Sequence, residues 1–252
     1  MVTASAALAV ALALQAAPPP EQAQQDQPIK YFFQNLGRDI VALPSIDSAV
    51  VIGMGAAFTG MVSPFDERID GWVDERESAG YTEIGNVIGD GWVQGTAAVA
   101  TYGIGVWSGQ RTLAHVGSDL FRAQALNALV TRGAKAIVVR TRPNGGRHSM
   151  PSGHSSAAFA TAAVLDRHYG PRVAIPAYAV AGFVSWSRIR DDAHWLTDVV
   201  LGAAIGTTIG RTIARGHRDD GAWAVVPVAS AHRMAVYVVR RDRQASRAER
   251  RR

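Results

Sequence analysis

The sequence contains no cysteine among its 252 residues. Disulfide-stabilised folds, thiol nucleophiles and cysteine-ligated metal sites are therefore excluded. Lysine is also scarce, because Lys30 and Lys135 are the only lysines among 26 basic residues. Charged residues make up 19% and hydrophobic residues 48% of the chain, which excludes global disorder and predicts one domain with a sizeable core.

Long hydrophobic runs are few. After the N-terminal 20 residues, the two longest uncharged stretches, residues 48–65 and 91–110, contain 18 and 20 residues and are interrupted by glycine and polar residues. A membrane-spanning helix needs about 20 predominantly apolar residues. The mean hydropathy of +0.02 is also low for a chain folded mostly inside lipid. The sequence therefore favours a soluble or peripheral protein, with an integral membrane protein as the alternative.

The net charge of +5 is confined to the end of the chain. Residues 240–252 contain seven arginines against Asp242 and Glu249, so the remaining residues sum to zero. Such a basic tail is typical of a solvated terminus or of a segment that contacts anionic lipid. It gives no reason to expect a nucleic-acid partner, and no oligomer interface can be identified.

The N-terminal residues follow the order of a signal peptide. An apolar run from Ala6 to Leu14 precedes small residues and then prolines from Pro18 onward. No basic residue precedes the run, so an alanine-rich leader is the alternative. We expect a periplasmic or secreted protein, or an inner-membrane protein whose site faces the periplasm. The expected segments are a signal peptide (1–17), a Pro/Gln-rich linker (18–28), the folded domain (29–239) and the basic tail (240–252).

Apolar residues spaced three and four apart predict helices in the second half of the chain. A helix that begins near Ser152 should end at Tyr169, because Gly170 and Pro171 form a stop signal. The pattern predicts an all-α bundle with a small C-terminal β-hairpin. The predicted helices cover residues 118–140, 152–169, 173–186 and 193–214, and the β-like stretches cover 223–228 and 234–239.

Three short segments carry the clearest chemistry. They read K-x6-R-P from Lys135 to Pro143, P-S-G-H from Pro151 to His154, and S-R-x5-H-x3-D from Ser187 to Asp198. The cations of these segments can converge only where a site holds an anion, and the guanidinium fork matches phosphate oxygens. These cations are Lys135, Arg142 and Arg188.

The P-S-G-H segment lies where a helix is predicted to begin. Free backbone N–H groups and the positive end of the helix dipole favour an anion there. Ser152 adds a hydroxyl donor, and Gly153 permits close backbone approach. Ser152 as a helix cap alone is the alternative, and the two roles are compatible.

His194 and Asp198 are four residues apart on a predicted helix and so share a face. A carboxylate that holds one imidazole nitrogen leaves the other as a nucleophile or base. His154 is then free to act as a general acid. Together with the cations, this set describes phosphoryl transfer through a phosphohistidine.

The three segments resemble the motifs of the type-2 phosphatidic-acid phosphatase family. Its superfamily also includes bacterial class A acid phosphatases and vanadium haloperoxidases. The defining positions match without substitution and in order, and the helical context extends the likeness over residues 117–215. The resemblance implies a helical bundle of the acid phosphatase/haloperoxidase type and no metal cofactor. It also implies that Lys135, Arg142, Ser152, Gly153 and Arg188 bind phosphate, that His154 protonates the leaving group, that His194 attacks phosphorus and that Asp198 orients His194.

The function that follows is a metal-independent phosphatase acting on phosphate esters, with lipid phosphates as the favoured substrates. A vanadate-dependent haloperoxidase is one alternative, since the same phosphate-binding residues would hold vanadate. A non-catalytic binder of phosphate or lipid headgroups is another, although binding alone does not need His154, His194 and Asp198. Arg147, His148, Asp191 and Asp192 are interpreted as solvated loop or turn residues.

The uncharged stretches after His154 and Asp198 contain 11 and 12 residues. Both are shorter than a membrane span requires. This is a further reason why the sequence favours a soluble protein.

Overall fold

A computed structural model describes residues 31–74, 80–215, 223–230 and 233–240. The predicted signal peptide and linker lie outside the described residues, as does the tail after Arg240. Within the described ranges the chain forms nine α-helices, one 3₁₀ turn and two strands. These are α1 (Phe32–Ala42), α2 (Ile46–Val62), the 3₁₀ turn (Ser63–Phe65), α3 (Asp66–Asp74), α4 (Tyr81–Gly89), α5 (Gly91–Trp107), α6 (Arg111–Ile137), α7 (Gly153–Tyr169), α8 (Pro171–Arg190), α9 (Leu196–Ile213), β1 (Trp223–Ser230) and β2 (Arg233–Arg240).

The predicted all-α architecture is confirmed. The largest buried cluster joins α6, α7 and α9 through side chains such as Leu126, Val164 and Ile209. The two β-like stretches pair as antiparallel strands, with Trp223 opposite Arg240 and Ser230 opposite Arg233. The helical core therefore contains the segments that carry the three motifs.

The ends of α7 follow from its sequence. The side chain of Ser152 caps the helix by accepting a hydrogen bond from the backbone N–H of Ser155. The helix ends at Gly170, whose φ of 75° lies in the left-handed region that glycine adopts readily. Pro171 then occupies the first turn of α8, where its missing N–H costs nothing. This part of the prediction is confirmed.

The helix predicted from Ser118 to Arg140 has different ends. It begins at Arg111, because Gly109, with a φ of 69°, makes the turn from α5 directly into α6. It stops at Ile137, because the following backbone pairs with a loop instead. The N–H of Arg142 bonds to the Gly146 carbonyl (2.8 Å), and the N–H of Ser149 bonds to the Arg140 carbonyl (2.9 Å).

Glycine brings α9 against α7. Gly202, Gly206 and Gly210 are spaced four apart and face the α7 backbone. A Cβ on Gly206 would overlap the carbonyl oxygen of Ser156. Small residues at this spacing let helices approach closely. The start of α9 is thereby held beside the start of α7, where the P-S-G-H segment lies.

One continuous helical segment, Ile46–Trp72, is long and apolar enough to cross a membrane. It contains 27 residues, and its most apolar window has a mean hydropathy of 1.5 with only 6% of the window buried. The second long uncharged stretch forms α5, which has 17 residues. The first of the two stretches singled out in the sequence is therefore an exposed apolar helix in the structure.

Candidate active site

The three motif segments meet at one end of the helical core. Lys135 Nζ donates hydrogen bonds to the carbonyl oxygens of His148 (2.7 Å) and Ser149 (3.1 Å), just before the P-S-G-H segment. The N–H of Ser152 bonds to the carbonyl of Asp198 (2.9 Å). The loop after Arg142 joins the third motif through the N–H of Asn144, which bonds to the Asp192 carbonyl (3.0 Å).

His194 and Asp198 form the predicted pair, but they do not share a helical face, because α9 begins at Leu196 and His194 lies in the turn before it. Nδ1 of His194 lies 3.4 Å from Oδ2 of Asp198. Both residues are buried, with 2% of His194 and none of Asp198 exposed. With the proton on Nδ1, this contact leaves Nε2 of His194 with a free electron pair. The arrangement therefore fits an oriented nucleophile or base.

Asp198 is held as an anion by several donors. Its Oδ2 also accepts from the backbone N–H of Trp195 (2.9 Å) and from the hydroxyl of Ser149. Burial acts to raise the pKa of Asp198, but hydrogen bonds from His194, Ser149 and Trp195 outweigh it and lower the pKa. Burial is also the main reason why the pKa of His194 is lowered, which keeps its imidazole neutral.

The pKa of His154 is affected by the charged groups around the site. Burial first, and then the Arg188 cation, lower the pKa of His154 to about 4, while Asp90 acts in the opposite direction. A Cβ on Gly89 would press against the His154 ring, so the turn between α4 and α5 packs on this histidine. The lowered pKa favours the neutral form of His154, and a bound phosphate anion would favour its protonated form.

The predicted cations leave part of their hydrogen-bonding capacity unused. Among the described residues, the Nε atoms of Arg142 and Arg188 are buried and have no hydrogen-bond partner. One Arg188 nitrogen, Nη1, pairs with Oδ2 of Asp191 (3.2 Å), which lies in the predicted turn and is half-buried. These nitrogens are available to an anion, but the Nε of Arg122, whose terminal nitrogens pair with Asp39 and Asp119, also has no partner, so this feature is not specific to an anion site.

Ser152 and Gly153 stand at the start of α7. Ser152 is fully buried, and its hydroxyl serves as the helix cap. A Cβ on Gly153 would meet no atom within 4 Å, so open space adjoins the helix terminus. The phosphate-binding role of both residues stays a prediction, and so do the roles of the other predicted site residues. Among the described residues, no group of three or more His, Asp or Glu side chains is placed to hold a metal ion.

Sequence reasoning missed several residues around Asp198. Arg140 Nη1 donates to Asp198 Oδ1 (2.8 Å), and Asp66 accepts from both Arg140 and Thr197. Arg140 lies inside the K-x6-R-P segment and Ser149 lies just before P-S-G-H, so proximity to the motifs was an available signal. Asp66 is 131 residues from Thr197 and carries no local signal. His148, expected in a solvated loop, is exposed, but its Nδ1 lies 2.8 Å from the Lys135 carbonyl oxygen.

Anion binding should depend on the protonation of Lys135. Burial first, and then the nearby Arg142, lower its pKa to about 8. A lysine is cationic below its pKa, so affinity for sulfate should fall as the pH rises through about 8, by roughly tenfold or more for a lost charged contact. Calorimetric titration with sulfate, whose charge is constant above neutral pH, measures this.

The matched variant for this titration is Lys135→Arg. Arginine keeps its charge throughout the range, so the pH dependence should flatten. An unchanged decline in this variant would assign the titration to another group.

Comparison with known proteins agrees with the motifs. The family model of the PAP2 superfamily matches residues 124–221. A lipid A 1-phosphatase from Porphyromonas gingivalis is 38% identical over 97 residues, which are 37% of this chain and 22% of that protein. The chain thus aligns with about a fifth of the length of this curated relative.

Two solved structures are similar in part. A crystal structure of Aquifex aeolicus LpxE has a TM-score of 0.49 and 18% identity, covering 58% of this chain and 92% of that one. The first transmembrane PAP2 type phosphatidylglycerolphosphate phosphatase from Bacillus subtilis has a TM-score of 0.45 and 21% identity, covering 75% and 94%. The segment that carries all the predicted site residues, residues 124–221, belongs to the type-2 phosphatidic acid phosphatase (PAP2) superfamily.

Proposed function

We propose that the protein is a metal-independent phosphatase that hydrolyses lipid phosphate esters through a phosphohistidine on His194. The observation that carries the proposal is the buried His194–Asp198 pair beside guanidinium nitrogens that lack acceptors. A non-catalytic binder would need the cations alone. An oriented imidazole next to an anion site supplies the nucleophile as well.

The reaction follows from the positions of the two histidines. Nε2 of His194 attacks phosphorus, and the bond from phosphorus to the ester oxygen breaks. His154 gives its proton to that oxygen, so the alcohol leaves neutral. His154 then takes a proton from water, which attacks the phosphohistidine and releases inorganic phosphate. Lys135, Arg142 and Arg188 stabilise the charge on the equatorial oxygens.

Two observations support a lipid as the substrate. The Porphyromonas gingivalis relative is a lipid A 1-phosphatase, and the PAP2 family model covers all three motifs. The exposed apolar segment Ile46–Trp72 also reaches the site, because its Asp66 accepts a hydrogen bond from the Thr197 N–H (3.0 Å), next to Asp198. A helix that enters lipid from this point would place the phosphate site at the membrane surface.

The same segment favours the membrane alternative over the soluble protein that the sequence favoured. The segment is covered only in part, since Ile52 packs against the core and Gly55 lies against Ala204 of α9, while 6% of its most apolar window is buried. We expect the full chain to stay in the membrane pellet after alkaline carbonate extraction. Release into the supernatant would contradict an integral helix and restore the soluble alternative. Exposure of the site to the periplasm belongs to the same proposal.

The test of the function is hydrolysis by the purified full chain in excess EDTA. p-Nitrophenyl phosphate and detergent-dispersed phosphatidate serve as substrates, and released phosphate is measured. Turnover that persists in EDTA supports the proposal, and faster turnover of the lipid supports the substrate class. No hydrolysis, combined with bromide oxidation in vanadate and peroxide, would assign the haloperoxidase activity. Phosphate binding without either reaction would assign a binder.

A further inference from the structure

Asp66 is a buried carboxylate that the proposed reaction does not use. It is the first residue of α3 and is 5% exposed. Its Oδ1 accepts from the N–H of Thr197 (3.0 Å), and its Oδ2 accepts from the hydroxyl of Thr197 (2.7 Å) and from Nη2 of Arg140 (2.7 Å). Asp66 therefore binds both the backbone N–H and the hydroxyl of Thr197, the residue immediately before Asp198.

Arg140 connects this carboxylate to Asp198. Its Nη2 binds Asp66, while its Nη1 donates to Asp198 Oδ1 (2.8 Å) and to the hydroxyl of Thr197. The guanidinium lies over the ring of Trp195 at 5.5 Å from the centroid, and 30% of its side chain is exposed. The two terminal nitrogens are thus directed at two carboxylates and one hydroxyl.

We propose that Asp66 and Arg140 are positioning residues that hold Asp198 Oδ1, so that Oδ2 remains on Nδ1 of His194. The inference rests on the proposed function, because it assigns His194 as the group that must be oriented. The segment Ile46–Trp72 then contributes directly to the geometry of the site through Asp66. Neither residue belongs to the phosphate-binding set.

The geometry explains why the carboxylate needs this support. The His194–Asp198 distance of 3.4 Å is at the long end for a hydrogen bond, so a small rotation of the carboxylate breaks the contact. Arg140 opposes that rotation from the other oxygen. Asp66 balances the charge of Arg140, so the guanidinium does not draw Asp198 away from the histidine.

Removing either partner disturbs Asp198 in a different way. Without Arg140, Asp66 and Asp198 become two carboxylates around Thr197, and their like charges repel each other. Without the charge on Asp66, Arg140 pairs with Asp198 alone. Removing both charges relieves the repulsion, so the combined loss should be smaller than the product of the two single losses.

Kinetics of Arg140→Gln, Asp66→Asn and the double variant test the inference. We expect kcat to fall roughly 10- to 100-fold in Arg140→Gln. This is the range found when a residue that orients a metal-binding side chain is removed, and the positioning role is the same in kind. KM should stay within about twofold, because the cations that we propose to bind phosphate are unchanged. Arg140→Lys, which keeps the charge on a single nitrogen in place of the guanidinium fork, should recover part of the loss. Arg132→Gln, an exposed position on α6, is the control and should match the wild type.

The tautomer of His194 gives a readout that does not depend on turnover. In ¹⁵N-histidine spectra the neutral wild-type ring should carry its proton on Nδ1, and Arg140→Gln should shift it toward Nε2. His194→Gln identifies the signal by its loss. A raised KM with unchanged kcat would instead make Arg140 a phosphate ligand and overturn the inference.

An unchanged tautomer in a folded Arg140→Gln variant would also overturn the positioning role. Wild-type protein that hydrolyses neither substrate contradicts the proposed function, and the tautomer result still decides the positioning role. The two failures are therefore distinguishable.

Discussion

Replacing His194 with alanine is expected to abolish turnover. The loss should be on the order of 10⁴-fold or more, because removing a nucleophile ends the covalent route and leaves only the contribution of binding. The His194 side chain touches Asp198 rather than the cations, so phosphate affinity should change little. Initial rates with p-nitrophenyl phosphate, together with sulfate titration, measure both quantities.

A trapped intermediate provides direct proof of this role. Wild-type enzyme mixed with ³²P-labelled substrate and quenched in alkali, where phosphohistidine survives, should carry label on the protein. His194→Ala should carry none, whereas the control His115→Ala should be labelled like the wild type. Turnover of His194→Ala within tenfold of the wild type would exclude His194 as the nucleophile.

Replacing His154 with alanine should have the second-largest effect, and its size should depend on the leaving group. A general acid contributes about 10²- to 10⁴-fold when the departing oxygen needs a proton. Alkyl phosphates should therefore lose nearly all turnover, whereas p-nitrophenyl phosphate, whose phenolate leaves without help, should lose far less. Measurement of kcat/KM across esters of graded leaving-group pKa tests this. An equal loss for all esters would contradict the role.

The same histidine should set an acidic pH optimum. Burial and then Arg188 lower its pKa to about 4, so its proton is lost as the pH rises. A bound phosphate raises that pKa, yet the protonated fraction still declines toward alkaline pH. We expect the rate with alkyl phosphates to fall above neutrality. A rate that rises steadily into the alkaline range would contradict an acid role for His154.

Local sequence was sufficient for the helical class and for the motif residues. The cap at Ser152 and the stop at Gly170 act on neighbouring backbone groups, so a few residues determine where α7 begins and ends. The contact between His194 and Asp198 was predicted from a helix that starts at Ala193, but α9 begins at Leu196, so His194 lies in the turn before the helix. The ends of α7 depend on neighbouring residues, whereas the position of His194 also depends on its backbone N–H, which bonds to the Arg188 carbonyl (3.2 Å).

The start of α6 at Arg111 was missed, although Gly109 gives a local signal for the turn before it. The close packing of α5 on α6 has no such signal. Gly117 lies against the backbone of Tyr102, a contact that no local pattern reports. The exposure of Ile46–Trp72 could not be predicted from the sequence either. An apolar segment has the same sequence pattern whether neighbouring helices or lipid cover it.

The surroundings of Asp198 were decided by tertiary structure alone. In the sequence, Asp66 is one of two acidic residues shortly after Pro64, and Arg140 is one arginine among many. Only the packing of α3 beside the start of α9 brings Asp66 to Thr197 and Arg140, across 131 residues of chain. Local spacing identifies the groups that we propose to react. Long-range contacts fix their positions, because a charge pair is defined by distance in space rather than along the chain.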